Sequence, residues 1–73
     1  MFKILEIVHD GLVELSNRYL PLQFPHRNEA VAHIEVLQAQ FLNRGYNDEH
    51  VFWWARNDDA AEFYRWTIEN GSD

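Results

Sequence analysis

The stretch from His50 to Glu69, HVFWWARNDDAAEFYRWTIE, decides the fold. Its first part is bulky and aromatic, shows no helical stripe, and ends at the turn-forming run Asn57-Asp58-Asp59. In its second part large side chains alternate strictly with polar ones, Tyr64, Trp66 and Ile68 with Arg65, Thr67 and Glu69. Because alternation with a period of two is typical of strands, we predict a hairpin over residues 50–69.

A C-terminal helix from about residue 60 to 70 is the competing interpretation of the same stretch. Asp59-Ala60-Ala61-Glu62 has the spacing of a capping box, and Gly71 is a residue type that ends helices. The strict alternation favours the strand. Residues 70–73 are expected to fray.

The chain begins with another predicted hairpin, over residues 2–15. Residues 2–8 are rich in β-branched and large apolar side chains, and Asp10-Gly11 is a dipeptide that closes tight hairpins. Pro21 and Pro25 follow, and a proline cannot donate a hydrogen bond to a strand ladder. We therefore expect a loop or an irregular edge strand over residues 16–25.

Residues 27–43 have the period of a helix. The apolar residues at helical spacing are Ala30, Ile34, Leu37 and Phe41, widened by Val31 and Leu42. Gln38 is expected to face water. His26 and Asn28 compete for the N-cap position, and Gly45 is expected to supply the left-handed residue that ends the helix.

The predicted order of elements is ββαββ, an α+β domain. Its sheet is dominated by antiparallel pairs, and one amphipathic helix packs on one face. A length of 73 residues leaves room for one domain. In a general way the chain resembles small bacterial proteins that place a hairpin before a helix and a tryptophan-rich strand after it. The resemblance rests on Phe24, Ala30 and the run Trp53-Trp54-Ala55-Arg56, and it implies no activity.

The charges are few and mostly acidic. Six lysines and arginines stand against 12 aspartates and glutamates, which gives a formal net charge of −6. The cations are scattered along the chain, whereas binding to nucleic acid or to an anionic membrane needs a basic patch. We therefore expect neither nucleic acid nor a membrane as a partner.

Cysteine is absent, so the chain can form no disulfide and no thiolate metal site. This composition fits a reducing cytoplasm. The apolar stretch in residues 1–10 is interrupted by Glu6 and has no small-residue cleavage site, so we expect neither a signal peptide nor a membrane span there. A cytoplasmic location is the default expectation.

The sequence contains few groups suited to catalysis. Its two serines and three glycines form neither a nucleophile elbow nor a phosphate-binding loop. The acidic pairs at 48–49 and 58–59 are interpreted as turn residues. The histidines are spaced too widely to gather around one ion and are interpreted as solvated side chains: His9, His26, His33 and His50. We therefore predict no enzyme activity, catalytic residue, cofactor or metal.

Aromatic residues in the 50–69 hairpin provide the strongest indication of function. Alternation lets only about half of its six large rings face the helix. Whether Trp53 or Trp54 points outward stays open, and we take Trp53 as inward. The candidate protein interface then comprises the outward set with two acids of the first hairpin: Phe52, Trp54, Phe63, Arg56, Arg65, Glu6 and Glu14.

The same reasoning assigns faces to the first hairpin. Leu5 and Ile7 are expected to point toward the helix, and Ile4 and Val8 away from it. Residues 16–25 are the segment that would otherwise cover the outward face.

These observations predict a non-enzymatic interaction module that forms a homodimer. A two-fold dimer centred on Trp54 would let Glu6 or Glu14 of one copy meet Arg56 or Arg65 of the other. The alternatives are an acidic decoy that binds a basic, nucleic-acid-handling protein, and a small enzyme or metal-binding protein. Stacking of single-stranded bases on the aromatic face is opposed by the net negative charge.

Overall fold

The computed structural model describes residues 1–57 and 61–71 as five strands and one helix. The elements are β1 (Phe2–Asp10), β2 (Val13–Phe24), α1 (Arg27–Gln38), β3 (Asn43–Asn47), β4 (Phe52–Arg56) and β5 (Glu62–Asn70). The strands form one sheet in the order β2-β1-β5-β4-β3, and every neighbouring pair is antiparallel. The α+β class with a helix on one face of an antiparallel sheet is confirmed, with one strand more than predicted.

The N-terminal hairpin turns at Gly11, whose φ of 64° is the left-handed conformation that glycine adopts without strain. Of the two expectations for residues 16–25, the irregular edge strand is correct and the loop is wrong, because β2 continues to Phe24 at the edge of the sheet. Pro21 stands where the β1–β2 register shifts between Lys3 and Leu5. An edge strand tolerates this residue because one side of its backbone has no partner strand.

The helix begins at Arg27 as predicted, after an extended His26 that makes no side-chain cap bond. It ends at Gln38 rather than residue 43, because the following residues turn and pair with β4. Gly45 therefore lies in a strand and does not end the helix. Phe41 lies beyond the helix but still packs on Tyr64, at 4.9 Å between ring centroids.

The C-terminal strands β4 and β5 pair with each other, so the strand interpretation holds over the helical one for residues 62–70. The predicted fraying does not begin at residue 70, because Asn70 belongs to β5 and the Gly71 backbone N–H donates to the Met1 carbonyl at 2.8 Å. The turn assigned to residues 58–59 and the final residues 72–73 lie outside the described residues.

The β3–β4 turn is held by the Asn47 side chain, whose Oδ1 accepts from the backbone N–H groups of Glu49 and His50 at 3.0 Å each. The next residue, Val51, has a φ of 56°. A β-branched side chain is strained in that left-handed conformation. The turn thus concentrates strain next to Phe52, the first residue of β4.

The core lies between α1 and the sheet and contains these buried residues: Ile4, Ala30, Ile34, Trp53, Ala55 and Trp66. Trp53 points inward, as we assumed. The assignment for β1 is wrong: Ile4 is fully buried and Val8 nearly so, while Leu5 and Ile7 lie on the opposite face. Both faces of β1 are apolar, so alternation alone does not tell which one the helix covers.

Candidate protein-interaction face

The face of the sheet opposite α1, called the open face below, carries the candidate residues. The strand register places on it Lys3, Leu5, Ile7 and His9 of β1, Phe52, Trp54 and Arg56 of β4, and Phe63, Arg65, Thr67 and Glu69 of β5. Glu14 and Tyr19 of the edge strand β2 join them. The helix α1 packs on the other face of the sheet. Residues 13–24 form the edge strand β2 and so do not fold over the open face as a loop.

Aromatic contacts fix the open-face side chains of β4. The Trp54 indole stacks on Phe63 with 5.9 Å between ring centroids and 13° between ring planes. The Arg65 guanidinium lies over the Phe52 ring, 4.9 Å from its centroid. Gly45 lies opposite Trp54 on β3, and a Cβ atom there would come within 2.8 Å of the indole ring. The Trp54 indole can lie against β3 because Gly45 has no side chain.

Replacing Gly45 with alanine is expected to destabilise the protein by about 1–3 kcal/mol, because the indole of Trp54 must move away from the new methyl group. In a Trp54→Ala background the same substitution should cost nothing or stabilise slightly, because alanine has less backbone freedom to lose than glycine. Urea unfolding of the two single variants, the double variant and the wild type measures the coupling. Equal costs in both backgrounds would contradict the contact.

The two arginines of the candidate set are on the open face, and neither forms an ion pair with a described residue. Glu14 is exposed and shares this face, opposite His9. The placement of Glu6 beside them is wrong. Its Oε2 accepts from Trp66 Nε1 at 2.9 Å and its Oε1 from Arg18 Nε at 3.3 Å, on the helix side of the sheet.

Lys3, Tyr19 and Glu69 form a polar cluster on the β2 side of the open face, which the sequence pattern did not predict. The Tyr19 hydroxyl donates to Glu69 Oε1 at 2.7 Å, and Lys3 Nζ lies 4.4 Å from the centroid of the Tyr19 ring. The hydrogen bond to the Glu69 carboxylate raises the pKa of Tyr19 above its ordinary value. On the helix side, burial and the nearby carboxylates of Glu62 and Glu6 raise the pKa of Tyr64.

The histidines do not come together as a site. His9 packs against Phe63, at 6.4 Å between ring centroids, and its Nε2 atom is buried with no hydrogen-bond partner among the described residues. Within residues 1–57 and 61–71, no group of three or more histidines or acids is placed to hold a metal ion, and no pocket is formed.

Comparison with known proteins found no matching family model, no matching curated protein and no matching solved structure. In the described part of the chain, no helix is both long and apolar enough to cross a membrane. The open face is therefore the feature from which a function can be inferred.

Proposed function

We propose that this protein is a non-enzymatic interaction module that self-associates through its open face. The observation that carries the proposal is the stacked pair Trp54 and Phe63 beside Phe52, on a sheet face that no described element covers. Arg56 and Arg65 lie among these rings, and neither has a carboxylate partner among the described residues. Aromatic residues and arginine are the types enriched at the energetic centres of protein interfaces. The absence of cysteine supports a reducing cytoplasm as the compartment.

Burial of the aromatic rings is expected to contribute more to the binding free energy than the charged side chains do. Burying one large ring contributes about 1.5–3 kcal/mol, whereas an exposed ion pair contributes roughly 0–1 kcal/mol. A domain of this size buries only about 60% of its unfolded surface when it folds alone. A second copy on the open face adds the apolar burial that a small core lacks.

The sheet edges are less suited to association than the open face. β2 carries Pro21 and two register irregularities, which interrupt the regular backbone edge that a further strand needs. At the other edge β3 has only five residues. Pairing through β2 or β3 would therefore be short or interrupted.

Sedimentation velocity over a micromolar concentration range tests the proposal. The wild type is expected to dimerise, and Trp54→Ala should shift it toward monomer by removing one stacked ring. Thr67→Lys is a second variant, because it places a charge near the centre of the face without removing a packed ring. Leu42→Ala is the control, since Leu42 is an exposed apolar residue outside the open face.

Circular dichroism on the same samples establishes that each variant is folded. A wild type that stays monomeric at high micromolar concentration would contradict the proposal. So would a folded Thr67→Lys variant that dimerises as strongly as the wild type. If Trp54→Ala unfolds, the test rests on whether Thr67→Lys dimerises more weakly than Leu42→Ala.

A further inference from the structure

Two opposite charges stand on the open face without a partner among the described residues. Glu14 lies on β2 opposite His9, and Arg56 lies on β4 opposite Phe63. Both side chains are exposed, and neither makes an ion pair with a described residue. β1 and β5 separate Glu14 from Arg56 by three strand spacings, roughly 14 Å. The two charges therefore cannot pair within one chain.

The two charges belong to the same cross-strand row. His9 opposes Glu14 on one side and Phe63 on the other, and Phe63 opposes Arg56. The row runs Glu14, His9, Phe63, Arg56 and ends at Asn43 on β3. The acid and the arginine therefore lie at equal distances from the line midway between β1 and β5.

We infer that two copies pack open face to open face about a two-fold axis parallel to the strands, midway between β1 and β5. This inference rests on the proposed self-association. Rotation about this axis places β1 of one copy over β5 of the other, and β2 of one copy over β4 of the other. The cross-strand rows of the two sheets stay aligned, so Glu14 of each copy faces Arg56 of the other. Sheets packed face to face lie about 10 Å apart, a gap that an extended arginine and a glutamate span together.

The same axis brings the two central strands together without opposing like charges. Leu5 of β1 then faces Thr67 of the other copy and Ile7 faces Arg65, since these residues are register partners within one sheet. A parallel axis through Trp54 would instead place Arg56 against Arg56 of the other copy. Contact between like charges across an interface weakens binding. The charges therefore favour an axis between β1 and β5 over an axis through Trp54.

Charge reversal tests this axis. Glu14→Lys and Arg56→Glu, each alone, place like charges together twice in a homodimer, so we expect each to raise the dimer dissociation constant roughly tenfold. An equimolar mixture of the two restores opposite charges at both contacts. Native mass spectrometry of the mixture should therefore show heterodimer above the share that random pairing gives.

A matched control is Glu35→Lys mixed with Arg56→Glu, because Glu35 is an exposed acid of α1, on the far side of the sheet. This mixture should show no excess of heterodimer. Wild-type dimerisation without a heterodimer excess for Glu14→Lys and Arg56→Glu would overturn the axis and leave the proposed function standing. A wild type that never dimerises would overturn both.

Discussion

Replacing Trp66 with alanine is expected to remove a large part of the protein's free energy of unfolding. Only 1% of the Trp66 side chain is exposed, and the residue belongs to the core that joins the sheet to α1. Removing a buried tryptophan costs about 3–5 kcal/mol, while a domain of this length is stable by only about 4–11 kcal/mol. Circular dichroism during urea unfolding measures the loss.

A Trp66→Phe variant separates packing from hydrogen bonding. Phenylalanine keeps most of the apolar contact but cannot donate to Glu6 as the indole Nε1 does. Because Glu6 keeps its contact with Arg18, we expect this variant to lose about 1–2 kcal/mol and stay folded. An unfolding midpoint of Trp66→Ala close to that of the wild type would contradict the placement of Trp66 in the core.

The second large effect is expected at Gln38, a buried polar side chain that is only 6% exposed. Its Nε2 donates at 2.9 Å to two backbone carbonyls, those of Gly45 and Trp54. Gln38→Leu keeps a similar volume but leaves both carbonyls without this donor. Because each unsatisfied buried group costs about 1–3 kcal/mol, we expect the two carbonyls together to lower the free energy of unfolding by about 2–6 kcal/mol.

Gln40→Leu is the matched control, since Gln40 is exposed two residues further along the chain. It should change the free energy of unfolding by less than about 0.5 kcal/mol. The comparison is made by urea unfolding of both variants at one protein concentration, because self-association adds to apparent stability. Equal effects of the two substitutions would contradict the role assigned to the Gln38 amide.

The expectation that Gln38 faces water was wrong for a reason visible in its spacing. Ala30, Ile34 and Gln38 follow one another at four-residue intervals, so all three share the buried side of α1. Because glutamine is polar, we expected the Gln38 side chain to face water. A polar residue is buried when acceptors are supplied by another part of the chain, and here β3 and β4 supply them.

Strand β3 was missed because nothing local predicts it. Asn43–Asn47 contains a glycine and two asparagines and has no alternation of apolar residues. Its pairing with β4 and the fit of Trp54 against Gly45 make it a strand. The apolar stripe extended the predicted helix to residue 43 because Phe41 contributes to the core after the helix has ended.

The candidate interface was largely predictable once the alternation in residues 63–68 was recognised. Side chains on a strand point to opposite faces in turn, so Trp66 inward requires Phe63 outward. Glu6 was misplaced because both faces of β1 are apolar. The pairing of Glu6 with Trp66 across β1 and β5 puts this carboxylate on the helix side.

Local periodicity is enough to specify three features of this chain: the first hairpin with its turn at Gly11, the start and buried stripe of α1, and the alternation of β5. These follow from backbone geometry within a few residues, so neighbours in the chain specify them. Three other features depend on tertiary contacts: the residue at which α1 ends, the strand formed by residues 43–47, and the face of β1 that the helix covers. Those outcomes depend on contacts between residues far apart in the sequence, such as Gln38 with the Trp54 carbonyl and Glu6 with Trp66, and no local pattern contains that information.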